Sequence, residues 1–337
     1  MTVSDLILGI ETSCDETAAA IVADGHDIRA NIINSQIVLH RQFGGVVPEV
    51  ASRQHVEHIA QAVDQALQTA GVKPAQLAAV AVTNRPGLIG ALLVGVSFAK
   101  AFAYASGLPL VGINHLKGHV YANFLEHHNV EFPAICLVVS GGHTELLLMN
   151  AINEYQFLGA TRDDAAGEAF DKVARFLGLG YPGGPAIQAA AQQGQPGIHH
   201  LPRVLLDKNN YEFSFSGLKT AVMNLWTKLS HQGAVQVDDL AAEFQQAVVE
   251  VLVEKTIQAS REFSARSILI AGGVAANQLL RTAMTAAAQA DSLPVYYPSM
   301  VLCTDNAAMI AGLAYHHFLH RDFADLTLNA QAHGENF

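Results

Sequence analysis

Ile7-Leu-Gly-Ile-Glu-Thr-Ser-Cys-Asp-Glu-Thr-Ala-Ala-Ala-Ile21 and Ala134-Ile-Cys-Leu-Val-Val-Ser-Gly-Gly-His-Thr-Glu-Leu-Leu-Leu-Met149 follow one pattern. Each is an apolar strand, a tight polar turn and a second strand. Each opens a half of similar size, so the chain reads as a duplicated α/β protein of two lobes. Outward from the first copy, a third strand is expected near residues 31–38 and a loop over 40–48. A helix over 49–70 places Val56, Ile59, Val63 and Leu67 on one face. A strand over 77–83, a helix from Leu88, a strand over 109–113 and a helix running toward His127 complete a β-β-β-α-β-α-β-α order. The second half continues with a helix over 165–177, the loop Gly180–Pro185, and an irregular stretch over 195–215. Helices over 217–229 and 237–263, a strand over 267–271, a helix over 276–289, a strand over 294–297 and a last helix to His320 follow. These boundaries give an N-terminal lobe over 1–132, a C-terminal lobe over 133–304, a last helix over 305–320 that packs back on the first lobe, and a partly ordered tail over 321–337.

The 337 residues are 50% hydrophobic, ample for a large core. The net charge of -11 argues against a free-standing nucleic-acid binder. Three cysteines, Cys14, Cys136 and Cys303, read as the reduced, buried thiols of a cytoplasmic protein. No basic region precedes the short apolar run Leu6–Ile10, so no secretory leader is expected. The most apolar stretch, 88–105, holds Ser97 and Lys100 and fits a buried helix better than a membrane span.

Three features can carry chemistry. In Asn114-His115-Leu116-Lys117-Gly118-His119 the histidines stand one helical turn apart, the spacing for two imidazoles on one divalent metal. Sixteen histidines in this length yield roughly one such pair by chance, and His316 with His320 is a second. Asp305, at the start of the last helix, either supplies an oxygen ligand or only caps that helix. Two histidines and one carboxylate leave coordination positions open, which suits iron or zinc. The second feature is a set of glycine turns: Ser140-Gly141-Gly142-His143-Thr144, Gly183-Gly184 and Gly272-Gly273-Val274-Ala275-Ala276-Asn277. Their backbone N–H groups can meet an anion without a Cβ in the way. No P-loop motif is present. The third is the acid pair Asp15 and Glu16, which either works on a metal or phosphate or simply solvates a turn. Asp171 stands out among the acids of its helix because that helix leads to Gly183-Gly184.

Together these stretches resemble the universal tRNA threonylcarbamoyl transferase family. The resemblance runs through Gly9–Thr17, Phe43–Glu49, Asn114–His119, Val139–Thr144, Ala166–Lys172, Tyr181–Pro185, Phe213–Lys219, Gly272–Asn277 and Cys303–Asn306, in the family's order. It implies an actin-like ATPase fold of two duplicated lobes with mixed sheets flanked by helices. It also implies transfer of a threonylcarbamoyl group from threonylcarbamoyl-AMP to the exocyclic amine of the adenosine beside the anticodon, in tRNAs reading codons that begin with A. Carried over, His115, His119 and Asp305 hold one divalent metal, usually iron, with zinc the other choice. Val138, Val139, Ser140, Gly141, Gly142, Asp171, Gly184 and Asn277 bind the adenylate, and Asp15 and Glu16 are the catalytic acids, with the general base left open. The implied partners are tRNA, a degenerate paralogue that pairs with the chain, and a small P-loop ATPase, with no membrane, in the cytoplasm. Three positions depart from the family: Arg85 replaces a glycine, Gln188 an aspartate near the ribose, and Val138 a metal-binding tyrosine of the archaeal and eukaryotic branch. A metallopeptidase lacks its His-Glu-x-x-His motif here; a small-molecule kinase of the same fold is the other rival.

Overall fold

The structure, a computed structural model, describes residues 4–204, 210–231, 235–334 and 337. They divide into two compact units: residues up to His128 together with Pro298 onward, and Asn129–Tyr297. The first unit begins with β1 (Leu6–Glu11), β2 (Glu16–Ala23), β3 (Asp27–Ser35), α1 (Ile37–Arg41) and α2 (Pro48–Ala70). It continues through β4 (Ala79–Arg85), α3 (Ile89–Ser106), β5 (Leu110–Asn114) and α4 (His115–Tyr121). The second unit holds β6 (Ala134–Val139), β7 (Thr144–Ala151), β8 (Glu154–Ala160), α5 (Ala166–Phe176), α6 (Gly183–Ala191) and α7 (Ser216–His231). Then come α8 (Val237–Glu262), β9 (Ser267–Ala271), α9 (Gln278–Gln289) and β10 (Val295–Tyr296). The chain re-enters the first unit with α10 (Met300–Cys303) and α11 (Ala307–Leu319).

Each unit is built on a five-stranded mixed sheet, ordered β3-β2-β1-β4-β5 and β8-β7-β6-β9-β10. The second order is the first with five added to every strand. In both, the first three strands run antiparallel and the last two join parallel to the first. The duplication expected from the two hairpins is therefore complete at the level of the sheets.

β1, β2 and β6 are near-continuous apolar runs because both of their faces are covered. Leu8 and Ile10 point to one side of β1, into a core with Ile59 and Val63 of α2 and Leu92, Val96 and Ala99 of α3. Gly9 points to the other side, where a Cβ would lie 2.4 Å from the Ala307 carbonyl oxygen and 2.7 Å from the Ala311 nitrogen. Only glycine lets the backbone of α11 come this close to β1.

Several elements differ from the sequence expectation. β8 is absent from the sequence expectation: it is an edge strand in which only Gly159 is buried, so no continuous apolar run marks it. The third strand starts earlier and ends at Ser35, and α1 takes the residues that follow. α4 stops at Tyr121 and tightens into a 3-10 turn over Ala122–Leu125. α3 is long and apolar enough to cross a membrane by length and composition. It is not wholly internal: Ala91, Leu92, Gly95, Val96, Ala99 and Ala103 are buried, while Ile89, Leu93 and Tyr104 are exposed. The segment after Asp322 is fastened by hydrogen bonds. Ala324 N–H donates to the Leu110 carbonyl, Gln331 N–H to the Asn84 carbonyl, and Gly87 N–H to the Ala332 carbonyl. Those last two bonds bracket the turn that contains Arg85.

Gly9→Ala should lower the stability of the first unit by about 1–3 kcal/mol, the ordinary cost of overpacking. Gly141→Ala, whose Cβ would meet nothing within 4 Å, should leave it unchanged. Urea denaturation of the two variants checks this.

Candidate metal centre and glycine turns

The Asn114 side chain ends β5 and starts α4 by accepting hydrogen bonds from Leu116 N–H at 2.9 Å and Lys117 N–H at 3.1 Å. This cap fixes the phase of the short helix, so His115 and His119 share one face, their ring centroids 4.6 Å apart. α4 packs on α11 through Gly118, whose Cβ would come 2.8 Å from Ile310 Cδ1. The Asn306 side chain caps α11 by accepting from Met309 N–H at 3.0 Å. Asp305 is thereby released from the capping role that was its alternative reading. Its Oδ1 lies 3.1 Å from His119 Nε2 and 3.5 Å from His115 Nε2. One ligand atom from each of the three residues falls within 4.8 Å of the others.

Glu11 stands behind His115. Its Oε1 accepts from Ser13 N–H at 2.5 Å, and its Oε2 accepts from Thr83 Oγ1 at 2.6 Å and sits 3.0 Å from His115 Nδ1. A carboxylate holding Nδ1–H fixes the tautomer that turns Nε2 toward a metal. The sequence reading passed over Glu11; the available signal was one acid inside an otherwise apolar strand. Burial pushes His115 down, but the Glu11 and Asp305 charges outweigh it and raise it to about 9. His119 Nδ1 is buried and has no hydrogen-bond partner.

Asp15 and Glu16 sit on the β1–β2 turn, each only 7% exposed, so they are not a solvated surface pair. Burial, then the charges of Asp305 and Asp15, push Glu16 up to about 10, while Ser35 Oγ donates to its Oε1 at 3.0 Å. A buried carboxyl pushed up by neighbouring negative charge marks a centre that favours a cation. The donor set of two imidazoles and a carboxylate, the orphaned His119 Nδ1 and this acidic surround all fit a divalent metal at His115, His119 and Asp305.

In the second unit the glycine turns converge. Gly167 N–H donates to the Ser140 carbonyl, and a Cβ on Gly272 would lie 2.4 Å from the Val139 carbonyl oxygen. Asp171 Oδ1 accepts from Gly183 N–H at 2.6 Å, tying the start of α6 to α5. Asn277 caps α9 at Leu280 N–H and donates to Gln245 Oε1 at 2.9 Å, leaving one N–H and one lone pair for other partners. Gln188 Oε1 accepts from Gln278 N–H at 2.8 Å, so this departure from the family joins α6 to the start of α9. Val138 and Val139 are wholly buried in β6 and anchor the turn, whereas Gly141 and Gly142 are exposed.

The glycines separate into two kinds. Gly167, Gly183 and Gly272 are forced by close backbone packing, with Cβ distances of 2.4–2.5 Å. Gly141, Gly142, Gly184 and Gly273 have no left-handed φ, and their Cβ atoms would meet nothing within 4 Å. Neither turn geometry nor internal packing calls for glycine at those four, and the space beside each is open.

The family model for TsaD, tRNA N6-adenosine threonylcarbamoyltransferase, matches residues 27–312. A protein of Syntrophomonas wolfei with that enzyme name is 66% identical over 325 residues, covering 96% of each chain. One of Moorella thermoacetica with the same name is 57% identical over 96% of this chain and 95% of its own. Among solved structures, HypF of T. kodakarensis matches with a TM-score of 0.63 at 13% identity, over 95% of this chain and 48% of that one. Component A of the (R)-2-hydroxyglutaryl-CoA dehydratase of Acidaminococcus fermentans matches with a TM-score of 0.57 at 14% identity, over 94% and 99%. At such identity these structures speak to the fold, which is the actin-like ATPase fold.

His115→Ala, His119→Ala and Asp305→Ala should each lower bound metal to near background. Glu11→Gln should weaken metal affinity about 10- to 100-fold, and His316→Ala and His320→Ala should leave it intact. Metal analysis of the purified variants checks all six.

Proposed function

The chain belongs to the tRNA N6-adenosine threonylcarbamoyltransferase family, and from that premise we propose that it modifies the adenosine beside the anticodon in tRNAs reading codons that begin with A. The donor is threonylcarbamoyl-AMP. The exocyclic amine attacks the carbamoyl carbon, a C–N bond forms, the C–O bond to phosphate breaks, and AMP leaves with the electron pair. AMP is a good leaving group, so the protein's contribution is positioning and charge stabilisation.

The observation that carries this reading is the set of four glycines that neither turn nor packing requires. They open the ends of β6 and β9 and the start of α6 to an adenylate, with Val138–Gly142 providing the turn, Asp171 holding Gly183 beside Gly184 and Asn277 holding the start of α9. His115, His119 and Asp305 would hold a divalent cation, iron before zinc, which would supply Lewis acidity when bound. Glu11 orients His115. Asp15 and Glu16 are the candidate acids of the β1–β2 turn. Neither named relative is a peptidase or a kinase.

Charge bears on the partners. Nucleic-acid affinity rests largely on free basic groups. Lys172 and Lys219 both pair with Asp164, and Arg203 pairs with Glu243 and Glu250; Lys208 lies outside the described residues. With a net charge of -11, the chain draws on a degenerate paralogue to complete a tRNA surface, and on a small P-loop ATPase for turnover. Its three free cysteines fit a cytoplasmic setting.

Incubation with the partners, tRNA, threonine, bicarbonate, ATP and the adenylate-forming enzyme should yield threonylcarbamoyladenosine in nucleoside mass spectra; its absence would remove the proposal. Gly142→Val and Gly184→Val should weaken binding of a non-hydrolysable adenylate analogue at least about tenfold, with the melting temperature unchanged, because only the approaching ligand meets the new side chain. Calorimetry reads the affinity. In filter binding at moderate salt, the isolated chain should hold tRNA only weakly and gain affinity when the paralogue is added.

A further inference from the structure

A line of buried polar side chains runs from the loop before α2 to the acid turn, and nothing in the reaction above uses it. Val47 N–H donates to His40 Nδ1 at 3.3 Å. That makes Nδ1 the acceptor, so Nε2 carries the proton and donates to Gln36 Oε1 at 3.1 Å. The Gln36 amide is thereby oriented. Its Nε2 faces His55 Nδ1 at 3.4 Å, where Thr17 Oγ1 also donates at 2.8 Å. His55 Nε2–H then donates to the Cys14 carbonyl at 3.0 Å. The donors from Val47 to Cys14 run in one direction; at His55 Nδ1 the Gln36 amide shares one lone pair with the shorter Thr17 hydroxyl bond, and the same amide nitrogen also reaches the Ala51 carbonyl at 3.4 Å. His40, His55 and Thr17 are fully buried and Gln36 is 5% exposed. Burial keeps the His55 ring below its ordinary value and so neutral.

The acid turn receives a donor at each residue. Ser13 carbonyl accepts from Leu88 N–H, Cys14 carbonyl from His55, Asp15 carbonyl from Gln36 N–H, and the Glu16 side chain from Ser35. We propose that His55, oriented by His40 through Gln36, is a positioning residue that sets the Cys14–Asp15–Glu16 turn for the transfer step. The proposal rests on the reading that this turn serves the transferase reaction. A directional chain of this kind transmits the placement of Val47, and with it the Gly44-Gly45 loop, to the acids.

Two substitutions separate positioning from filling. The amide nitrogen of a glutamine reaches the place of His55 Nε2 and can still donate to Cys14, whereas asparagine stops near Nδ1 and cannot. Under the proposal His55→Asn lowers kcat about 10- to 100-fold, the scale of an ångström's misplacement, with KM for tRNA and bound metal unchanged. His55→Gln recovers most of that loss. Hydrogen exchange of the Ser13–Thr17 amides should quicken in His55→Asn and stay near the parent rate in His55→Gln. Equal kcat in the two variants, or unchanged exchange in His55→Asn, overturns the proposal. A wild-type chain that makes no modified nucleoside defeats the transferase reading alone, and the exchange rates still decide the positioning role.

Discussion

The close approach of α11 to β1 at Gly9 is the constraint on which the first unit depends. Asp305 and His119 are separated by 186 positions along the chain, and nothing local holds them together. The absent Cβ at Gly9 lets the α11 backbone lie against the central strand, and the Asn306 cap fixes where that helix begins. The carboxylate one residue before the cap is then delivered to the histidines of α4. The same strand carries Glu11 at its end, so a single element both admits α11 and orients His115. A side chain at residue 9 would displace Asp305 as well as loosen a core.

Much of this was legible in the chain. The repeated strand–turn–strand pattern disclosed two equivalent sheets, because a hairpin of apolar runs around a polar turn leaves a strong trace in sequence. The glycine turns and the i, i+4 histidines were visible for the same reason: glycine at a strand end and polar groups at helical spacing stand out from core composition. What stayed hidden was tertiary. β8 leaves a weak trace because an edge strand with only Gly159 buried carries no continuous apolar run. Glu11 and His55 looked like isolated polar residues, since their partners Thr83, His115, Thr17 and Cys14 come from other elements. Whether Asp305 capped a helix or faced the histidines depended on one residue, and Asn306 decided it.

The second unit shows how a glycine can be read once its surroundings are known. Gly272 and Gly183 are explained by the backbone pressed against them. Gly141, Gly142, Gly184 and Gly273 have no such explanation, and a Cβ at each would meet nothing within 4 Å. Lys172 and Lys219 are both paired with Asp164, while Arg281 donates to the Ala275 carbonyl of the third glycine turn.

The account stands on a metal at His115, His119 and Asp305. Anomalous scattering from crystals of the chain grown with iron, collected on both sides of the absorption edge, tests it most directly. The account predicts one strong peak at about 2.0–2.2 Å from an imidazole nitrogen of each histidine and from the Asp305 carboxylate, the distances of first-row metal bonds. A peak elsewhere, or none at these residues in crystals whose metal content is stoichiometric, would contradict it.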